Sequence, residues 1–325
     1  MKAIVQEGSG SADVLHLREI EKPVVTDGSV LVRVRATSVN ALDWHSVHGG
    51  KMIEAVSRLM RQPEQPIRGV DVAGTVEAVG AGVTRFAPGD EVFGGAPAAF
   101  AEYAVARESA LVLKPRNLSF EQAAAVGVAG RTALQGLRDY AQVHAGQHVL
   151  ISGAGGGVGT FAVQIAKALG AHVTAVTSTR NLDLIRSLGP DEVIDYTQED
   201  FTRRGERYDA VIDVAANRSV AELRRVLKPT GTLVLVGADK RGGLAIFTRI
   251  GAAFARSRLL RQRIVFCVAK ATQDDLVVLK EMIEAGKLCP AIDRTYPLSE
   301  TAEAVRYLGS GQARAKVVIT MALPA

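Results

Sequence analysis

A chain of 325 residues, 47% of them hydrophobic and 22% charged, is enough to bury at least one full core, and two are expected, because single cores stop growing near roughly 250–300 residues. Thirty-two glycines and eleven prolines without a fixed period exclude collagen and low-complexity chains, and two cysteines, Cys267 and Cys289, exclude a disulfide framework or a four-cysteine zinc site. Thirty-nine basic against thirty-four acidic residues leave +5, which suits an anionic small ligand but falls short of a nucleic-acid-binding face.

The opening Met1-Lys2-Ala3-Ile4-Val5-Gln6-Glu7 turns polar too early for a signal peptide, and no stretch approaches about eighteen uninterrupted apolar residues. A cytoplasmic protein without an integral membrane segment is expected. Up to Lys114 the pattern is short and alternating, as where Val30, Val32 and Val34 interleave with Leu31, Arg33 and Arg35. Turn clusters such as Gly80-Ala81-Gly82 and Pro88-Gly89-Asp90 punctuate it, which predicts a compact all-β module. From about residue 118 the strands become apolar throughout and longer helical stretches separate them, the pattern of an α/β parallel sheet covered on both faces. Strands are expected at about His148 to Ser152, His172 to Thr177, Asp191 to Tyr196, Tyr208 to Ala215, Gly231 to Gly237 and Ile264 to Ala269. After Pro290 the alternating style returns in Ala291 to Pro297 and Lys316 to Thr320, so the C-terminus is expected to rejoin the first module. The predicted domains are therefore 1–117, 118–289 and a returning segment 290–325.

The strongest local signal is Val149-Leu150-Ile151-Ser152-Gly153-Ala154-Gly155-Gly156-Gly157-Val158-Gly159, a buried strand that opens into a helix expected from Gly157 to Leu169. Read as A-x-G-x-x-G, it puts Ala154, Gly156 and Gly159 where a tight turn, a close approach to pyrophosphate and close helix packing are needed. Phosphate oxygens would then face the N–H groups of Gly157 and Val158 at the positive end of the helix. At the end of the second strand, where NAD enzymes place a carboxylate on the ribose, the chain reads Thr177-Ser178-Thr179-Arg180-Asn181. A hydroxyl and a guanidinium suit a 2′-phosphate, so Ser178 and Arg180 favour NADPH over NADH. The competing readings are that Ser178 caps the next helix, that Arg180 is a solvated charge, and that Asp183 turns towards a ribose. From Leu244 to Arg263, Arg249, Arg256 and Arg263 share one helical face, as in a segment covering a hydrophobic substrate site or one lying on a membrane surface.

These motifs together resemble the medium-chain dehydrogenase/reductase superfamily, in its zinc-independent, quinone oxidoreductase-like branch that includes the reticulon-4-interacting-protein-like reductases. The resemblance spans nearly the whole chain. It rests on Val34 to Asp43, on Gly69-Val70-Asp71-Val72-Ala73-Gly74, on Gly89-Asp90-Glu91-Val92-Phe93-Gly94, on Gly130-Arg131-Thr132-Ala133 and on the glycine turn. It implies a GroES-like β-barrel domain followed by a Rossmann doubly wound parallel sheet. It also sets up a test for zinc, since Asn40, Val70 beside Asp71, and Val128 with Ala129 stand where metal-dependent members carry ligands. An amide, a valine and an alanine do not replace thiolate and imidazole, so no metal is expected, although His45, His48 and Asp43 are close in sequence.

Without a Lewis acid, acceptors whose developing charge is delocalised become the favoured substrates, and the resemblance implies NADPH-dependent reduction of quinones or α,β-unsaturated carbonyl compounds. The alternatives are a zinc-free alcohol dehydrogenase or enoyl-thioester reductase, and, from another class, an NADPH-binding redox sensor or nucleic-acid-binding protein without turnover. By resemblance, Asn40 orients nicotinamide or substrate, the competing reading being an amide that satisfies a turn, and Asp43 supports that segment. His45 stands where many relatives carry a tyrosine and is the candidate proton donor. Thr132 is expected at the phosphates or nicotinamide ribose, Tyr196 on the adenosine side, Val158 at the pyrophosphate through its backbone, and Lys316 at the cofactor. A homodimer, paired through the strand Ile264 to Ala269, is expected from related reductases.

Overall fold

The structure, a computed structural model, describes residues 1–8, 10–48, 67–236 and 261–322. The loop Lys51 to Pro66 lies outside them, and so does the arginine-bearing segment from Leu244 up to residue 260. The chain forms two compact units: residues 1–129, 271–286 and 290–325 make the first, and residues 130–270 with 287–289 make the second. Residues 118–129 and 271–286, expected with the parallel-sheet domain, thus pack in the first unit.

In the first unit β1 (Lys2–Gln6) and β2 (Leu15–Glu19) form a small antiparallel pair. The main sheet is built on β3 (Ser29–Val39), whose alternation puts Val30, Val32 and Val34 in the core at 2% exposure or less. It is followed by the short helix α1 (Ala41–His48), β4 (Asp71–Val79), β5 (Glu91–Gly95), β6 (Tyr103–Arg107) and β7 (Leu111–Leu113). At the other end of the chain β14 (Ile292–Pro297), helix α8 (Thr301–Gly309) and β15 (Lys316–Thr320) return to this sheet. Its order is β14-β15-β3-β4-β5-β7, with β6 paired to β3 as well. The antiparallel pairing of β15 with β3 sets Val317 opposite Val39, so Lys316 lies beside the end of β3. Ile4, Val72, Phe100, Leu111, Val317 and Ile319 belong to one core, and each such side chain, fully buried, contributes about 1.5–3 kcal/mol. Two helices follow β7: α2 (Phe120–Ala124), begun by a reciprocal capping box between Ser119 and Gln122, and α3 (Gly127–Gln135), which carries the chain into the second unit.

The second unit is a six-stranded sheet of β8 (His148–Ser152), β9 (His172–Thr177), β10 (Glu192–Asp195), β11 (Tyr208–Asp213), β12 (Leu227–Leu235) and β13 (Arg263–Phe266). Its order is β10-β9-β8-β11-β12-β13 and every pairing is parallel, the doubly wound arrangement that the apolar runs predict. Helix α4 (Gly157–Ala168) connects β8 to β9, α5 (Leu182–Ser187) lies between β9 and β10, and α6 (Val220–Arg225) between β11 and β12. The remaining helix, α7 (Gln273–Glu284), packs in the first unit against β7. Among the described residues no helix is long and apolar enough to cross a membrane.

Two carboxylates tie down the N-terminal ends of the parallel strands. Asp209 accepts from the His148 N–H and from Lys228, both at 2.8 Å, and Asp191 accepts from the Val173 N–H at 2.7 Å and from Lys167 at 2.8 Å. Asp209→Ala leaves the His148 N–H without its acceptor, and we expect it to lower the unfolding free energy by about 1–2 kcal/mol in urea titration while the far-UV spectrum is retained.

Candidate active site

In the first unit three separate stretches of chain converge on one carboxylate. Asp71, the first residue of β4, is completely buried. Its Oδ2 accepts from the Ser38 hydroxyl at 2.6 Å and from Asn40 Nδ2 at 2.9 Å, and its Oδ1 accepts from the Val128 N–H at 2.7 Å. The Lys316 ammonium stands 3.6 Å from Oδ2 and donates to Asn40 Oδ1 at 2.6 Å. A Cβ on Gly127 would sit 2.2 Å from Asp71 Oδ1, so only glycine lets the start of α3 come this close. Lys316 is 3% exposed and Asn40 is 7% exposed, so the array is largely buried.

Asn40 therefore spends both ends of its amide inside the protein. Its backbone carbonyl starts α1 by accepting from the Asp43 and Trp44 N–H groups, and Asp43 answers by accepting from the Asn40 N–H at 2.8 Å. The amide side chain joins Asp71 and Lys316 instead of satisfying that turn. Burial pushes the Asp43 carboxyl up to about 7; the Asn40 N–H opposes the rise, nearby Asp71 adds to it and Lys316 opposes it. Burial also lowers the Lys316 ammonium, against the attraction of Asp71 and Asp43.

His45 sits half-buried on α1, edge-on to Trp44 with ring centroids 5.0 Å apart, while His48 stacks on the same indole at 4.4 Å and its Nδ1 lies 3.0 Å from the Trp44 carbonyl. The three residues noted as a possible metal cluster thus go to different partners, Asp43 to backbone and the imidazoles to Trp44. Among the described residues no group of three His, Cys, Asp or Glu could hold a metal ion. The donor set around Asp71 suits zinc poorly, since its neighbours are an amide, a hydroxyl and an ammonium that already brings positive charge.

The second unit presents the glycine turn. Gly153 adopts φ +83° and a Cβ there would meet the Ala215 N at 2.8 Å; one on Gly159 would meet the Gly153 carbonyl oxygen at 2.2 Å; one on Gly155 would meet Asn181 Nδ2 at 2.3 Å. These three glycines serve the fold. At Gly156 a Cβ would meet nothing nearer than the Gly153 oxygen at 3.6 Å, so internal packing does not require glycine there. Gly156 is the cap of α4, whose first-turn N–H groups, at Gly157, Val158 and Gly159, have no intrahelical acceptors. A cradle with a bare Cα at its rim and three backbone donors behind it fits a pyrophosphate. Ala154 is fully buried, its N–H bound to the Val176 carbonyl at 3.0 Å.

Ser178 follows β9 and makes no side-chain cap; its hydroxyl accepts from Asn181 Nδ2 at 3.4 Å. Arg180 is exposed, and Asp183 pairs with Arg186 at 3.4 Å on α5. Tyr196 is 42% exposed and held by its N–H to the Thr177 carbonyl at 3.0 Å, which brings it to the end of β9. Thr132 lies half-buried on α3. Sequence reasoning missed three residues here. Asp71 had been quoted only as the neighbour of an absent histidine. Asp195, in register with Thr177, accepts from the Thr179 hydroxyl at 2.5 Å, a bond that holds its carboxyl below the usual range and ties the Thr179 hydroxyl to β10. Asn181 is 6% exposed under the turn, and its Oδ1 finds no partner among the described residues.

Residues 26–116 match the alcohol dehydrogenase GroES-like domain, and residues 188–319 match the model described as zinc-binding dehydrogenase. The chain is 33% identical to the chloroplastic quinone-oxidoreductase QR1 of Triphysaria versicolor over 98% of each chain. It is 34% identical to the chloroplastic NADPH-dependent alkenal/one oxidoreductase of Arabidopsis thaliana over 98% of this chain and 79% of that one. The solved structure of the quinone oxidoreductase from Coxiella burnetii superposes with a TM-score of 0.87 at 31% identity, over 98% of this chain and 99% of that one. A GroES-like unit joined to a doubly wound parallel sheet with a dinucleotide turn defines a medium-chain dehydrogenase/reductase. Within that class, the chain belongs to the quinone oxidoreductase-like family.

Two measurements separate fold from site. Gly156→Ala should keep the melting temperature within about 2 °C while weakening nicotinamide nucleotide binding about tenfold or more by fluorescence titration; Gly159→Ala should lose about 2–4 kcal/mol of stability. Asp43 gives a pH signature. Between about pH 4 and 7 the folded chain holds a proton on Asp43 that the unfolded chain releases, so this group's stabilising contribution declines as pH rises through the window and is level above it. Asp43→Asn should flatten that decline, on the order of 2–4 kcal/mol, in denaturant titrations at pH 5 and 8.

Proposed function

We propose that this chain is a zinc-independent, NADPH-preferring reductase that delivers hydride to a quinone or an α,β-unsaturated carbonyl compound. The observation that carries the reading is the Lys316 ammonium, held 2.6 Å from Asn40 and 3.6 Å from Asp71, residues that stand at or beside the positions where, by the resemblance, metal-dependent members carry ligands. The relatives named for quinone and for alkenal/one reduction, both matched over 98% of this chain, support the substrate class.

The glycine turn with the N–H groups of Gly157, Val158 and Gly159 would hold the pyrophosphate, and Ser178 with Arg180 would take the 2′-phosphate. Tyr196 would cover the adenosine side and Thr132 the nicotinamide ribose. When bound, NADPH supplies the hydride. On the acceptor side an ammonium has three N–H donors, of which Asn40 takes one and Asp71 balances the charge, so Lys316 retains donor capacity for an oxygen on which negative charge develops. Asn40, locked by both neighbours, sets the direction of that ammonium. His45, beside Trp44, is the proton donor of this reading. The place of β13, last in the sheet among the described residues, with Val268 63% exposed beyond it, supports a homodimer. The two free cysteines suit a reducing, cytoplasmic setting.

Steady-state oxidation of NADPH and of NADH against quinone and enone panels, with and without a chelator, tests this function. We expect turnover that the chelator leaves unchanged, and a kcat/KM about tenfold or more higher with NADPH, a preference that Arg180→Ala abolishes without changing the value for NADH. Absence of turnover on both panels overturns the reductase reading, and loss of activity on chelation overturns its zinc independence.

A further inference from the structure

Asp71 gathers more of the first unit than its place at the start of a strand requires. Three hydrogen bonds, from Ser38, Asn40 and the Val128 N–H, fix both oxygens of its carboxylate, and its own backbone carbonyl accepts the Thr37 hydroxyl at 2.5 Å. A carboxylate anchored in this way cannot turn, so it faces Lys316 in a fixed direction, with Oδ2 3.6 Å from the ammonium. The Asn40 amide lies between the two, donating to the carboxylate through Nδ2 and accepting from the ammonium through Oδ1. Its dipole is therefore aligned by both charges.

We propose that Asp71 is a positioning residue of the reductase, one that keeps the Lys316 ammonium charged and the Asn40 amide in a single orientation, so that the pair acts as a built-in fixed cation. The assignment rests on the proposed reductase function only in giving Lys316 a task at the acceptor; the electrostatic coupling itself is independent of turnover. The charged groups acting on Lys316 are Asp71 from β4 and Asp43 from α1. Its neighbours in the sheet are uncharged: Ile292 is in register on β14, and Val39 faces the adjoining Val317 on β3. From α2 and α8, which also pack on β15, the buried residues are Ala123 and Ala124 and Thr301, Ala304 and Val305, none of them charged. Asp43 carries a carboxyl raised to about 7 and so adds little negative charge below neutrality; above it Asp43 joins Asp71, whose attraction on Lys316 is the larger of the two.

The test uses Asp71→Asn, which preserves shape and removes charge, and the double variant Asp71→Asn with Lys316→Arg. The titration of Lys316 is read by NMR on protein labelled with 13C at lysine Cε and assigned through Lys316→Arg, and the pH profile of kcat/KM is read on the best acceptor of the panels. In Asp71→Asn we expect Lys316 to titrate at least one pH unit lower than in the wild type, and the alkaline limb of kcat/KM to move with it. In the double variant the guanidinium stays charged at every accessible pH, so that limb should be abolished. Should Asp71→Asn fail to fold, Asp71→Glu keeps the charge but displaces it by a methylene, and should lower kcat at least tenfold while the alkaline limb stays as in the wild type. An Asp71→Asn variant that only melts earlier, with the Lys316 titration and the alkaline limb unmoved, overturns the proposal, as does an Asp71→Glu enzyme with wild-type kcat. If the wild type turns over no acceptor, the reductase reading fails while the NMR titration still decides the role of Asp71.

Discussion

Taking Lys316 and Asp71 out of water costs several kcal/mol per ion, and mutual attraction offsets that cost only when the remaining donors and acceptors are also satisfied. Much of the first unit can be understood as meeting this condition. Ser38 at the end of β3 with Asn40 at the entry to α1, Gly127 and Val128 at the start of α3, and Lys316 at the start of β15 come from three separate stretches, and each supplies a donor or the room for one. The return of the C-terminal strand to β3 is thus more than a way of covering an edge. Without β15 the carboxylate would lose its counter-ion in a place water does not reach, and breaking a buried pair in that way typically costs about 3–5 kcal/mol.

The second unit solves a related problem with backbone. Its glycine turn, proposed for a pyrophosphate, offers only the N–H groups that any helix leaves over in its first turn. What must be arranged is access, and access is a matter of absent Cβ atoms. Gly153, Gly155 and Gly159 are consumed by contacts within the protein, with Ala215, Asn181 and the turn itself, while a Cβ on Gly156 alone of the four would meet its nearest neighbour at an ordinary 3.6 Å. A glycine-rich motif therefore mixes two demands, folding the turn and exposing it, that look identical in sequence and separate only once the neighbours are known.

That distinction describes what could be read before the structure. The parallel strands were legible because burial on both faces makes each of them a continuous apolar run, as in Val149-Leu150-Ile151, and strand ends fell within a few residues of their places, though β12 begins earlier than expected, at Leu227. The alternation of Val30, Val32 and Val34 likewise marked a core-facing strand. The site was less legible because its defining contacts are long-range: Lys316 and Asn40 are 276 residues apart, and no periodicity links them. Resemblance put Lys316 at the cofactor and Asn40 at the nicotinamide, one residue at a time, and so concealed that each holds the other. Asn181 and Asp195 were missed for a simpler reason. One was read only as the end of a hydroxyl-rich stretch and the other as part of a strand, and what sets them beside the glycine turn and Thr179 is the pairing of β9 with its neighbours.

A fixed ammonium and a bound divalent metal differ in ways that bear on the proposed chemistry. A metal polarises an isolated carbonyl strongly, whereas one lysine brings a single charge, weakened further wherever its proton is lost. An acceptor that spreads its developing charge over a conjugated system asks less of the protein, so a single well-oriented donor suffices for it and not for a simple ketone. Orientation is what this site has in excess: every polar group touching Lys316 is itself held by another, Asn40 by Asp71 and Asp71 by Ser38 and Val128. The cation cannot drift, exchange or be removed by a chelator. Its weakness is alkaline pH, because burial lowers the ammonium, and Asp71 is the group in position to limit that loss.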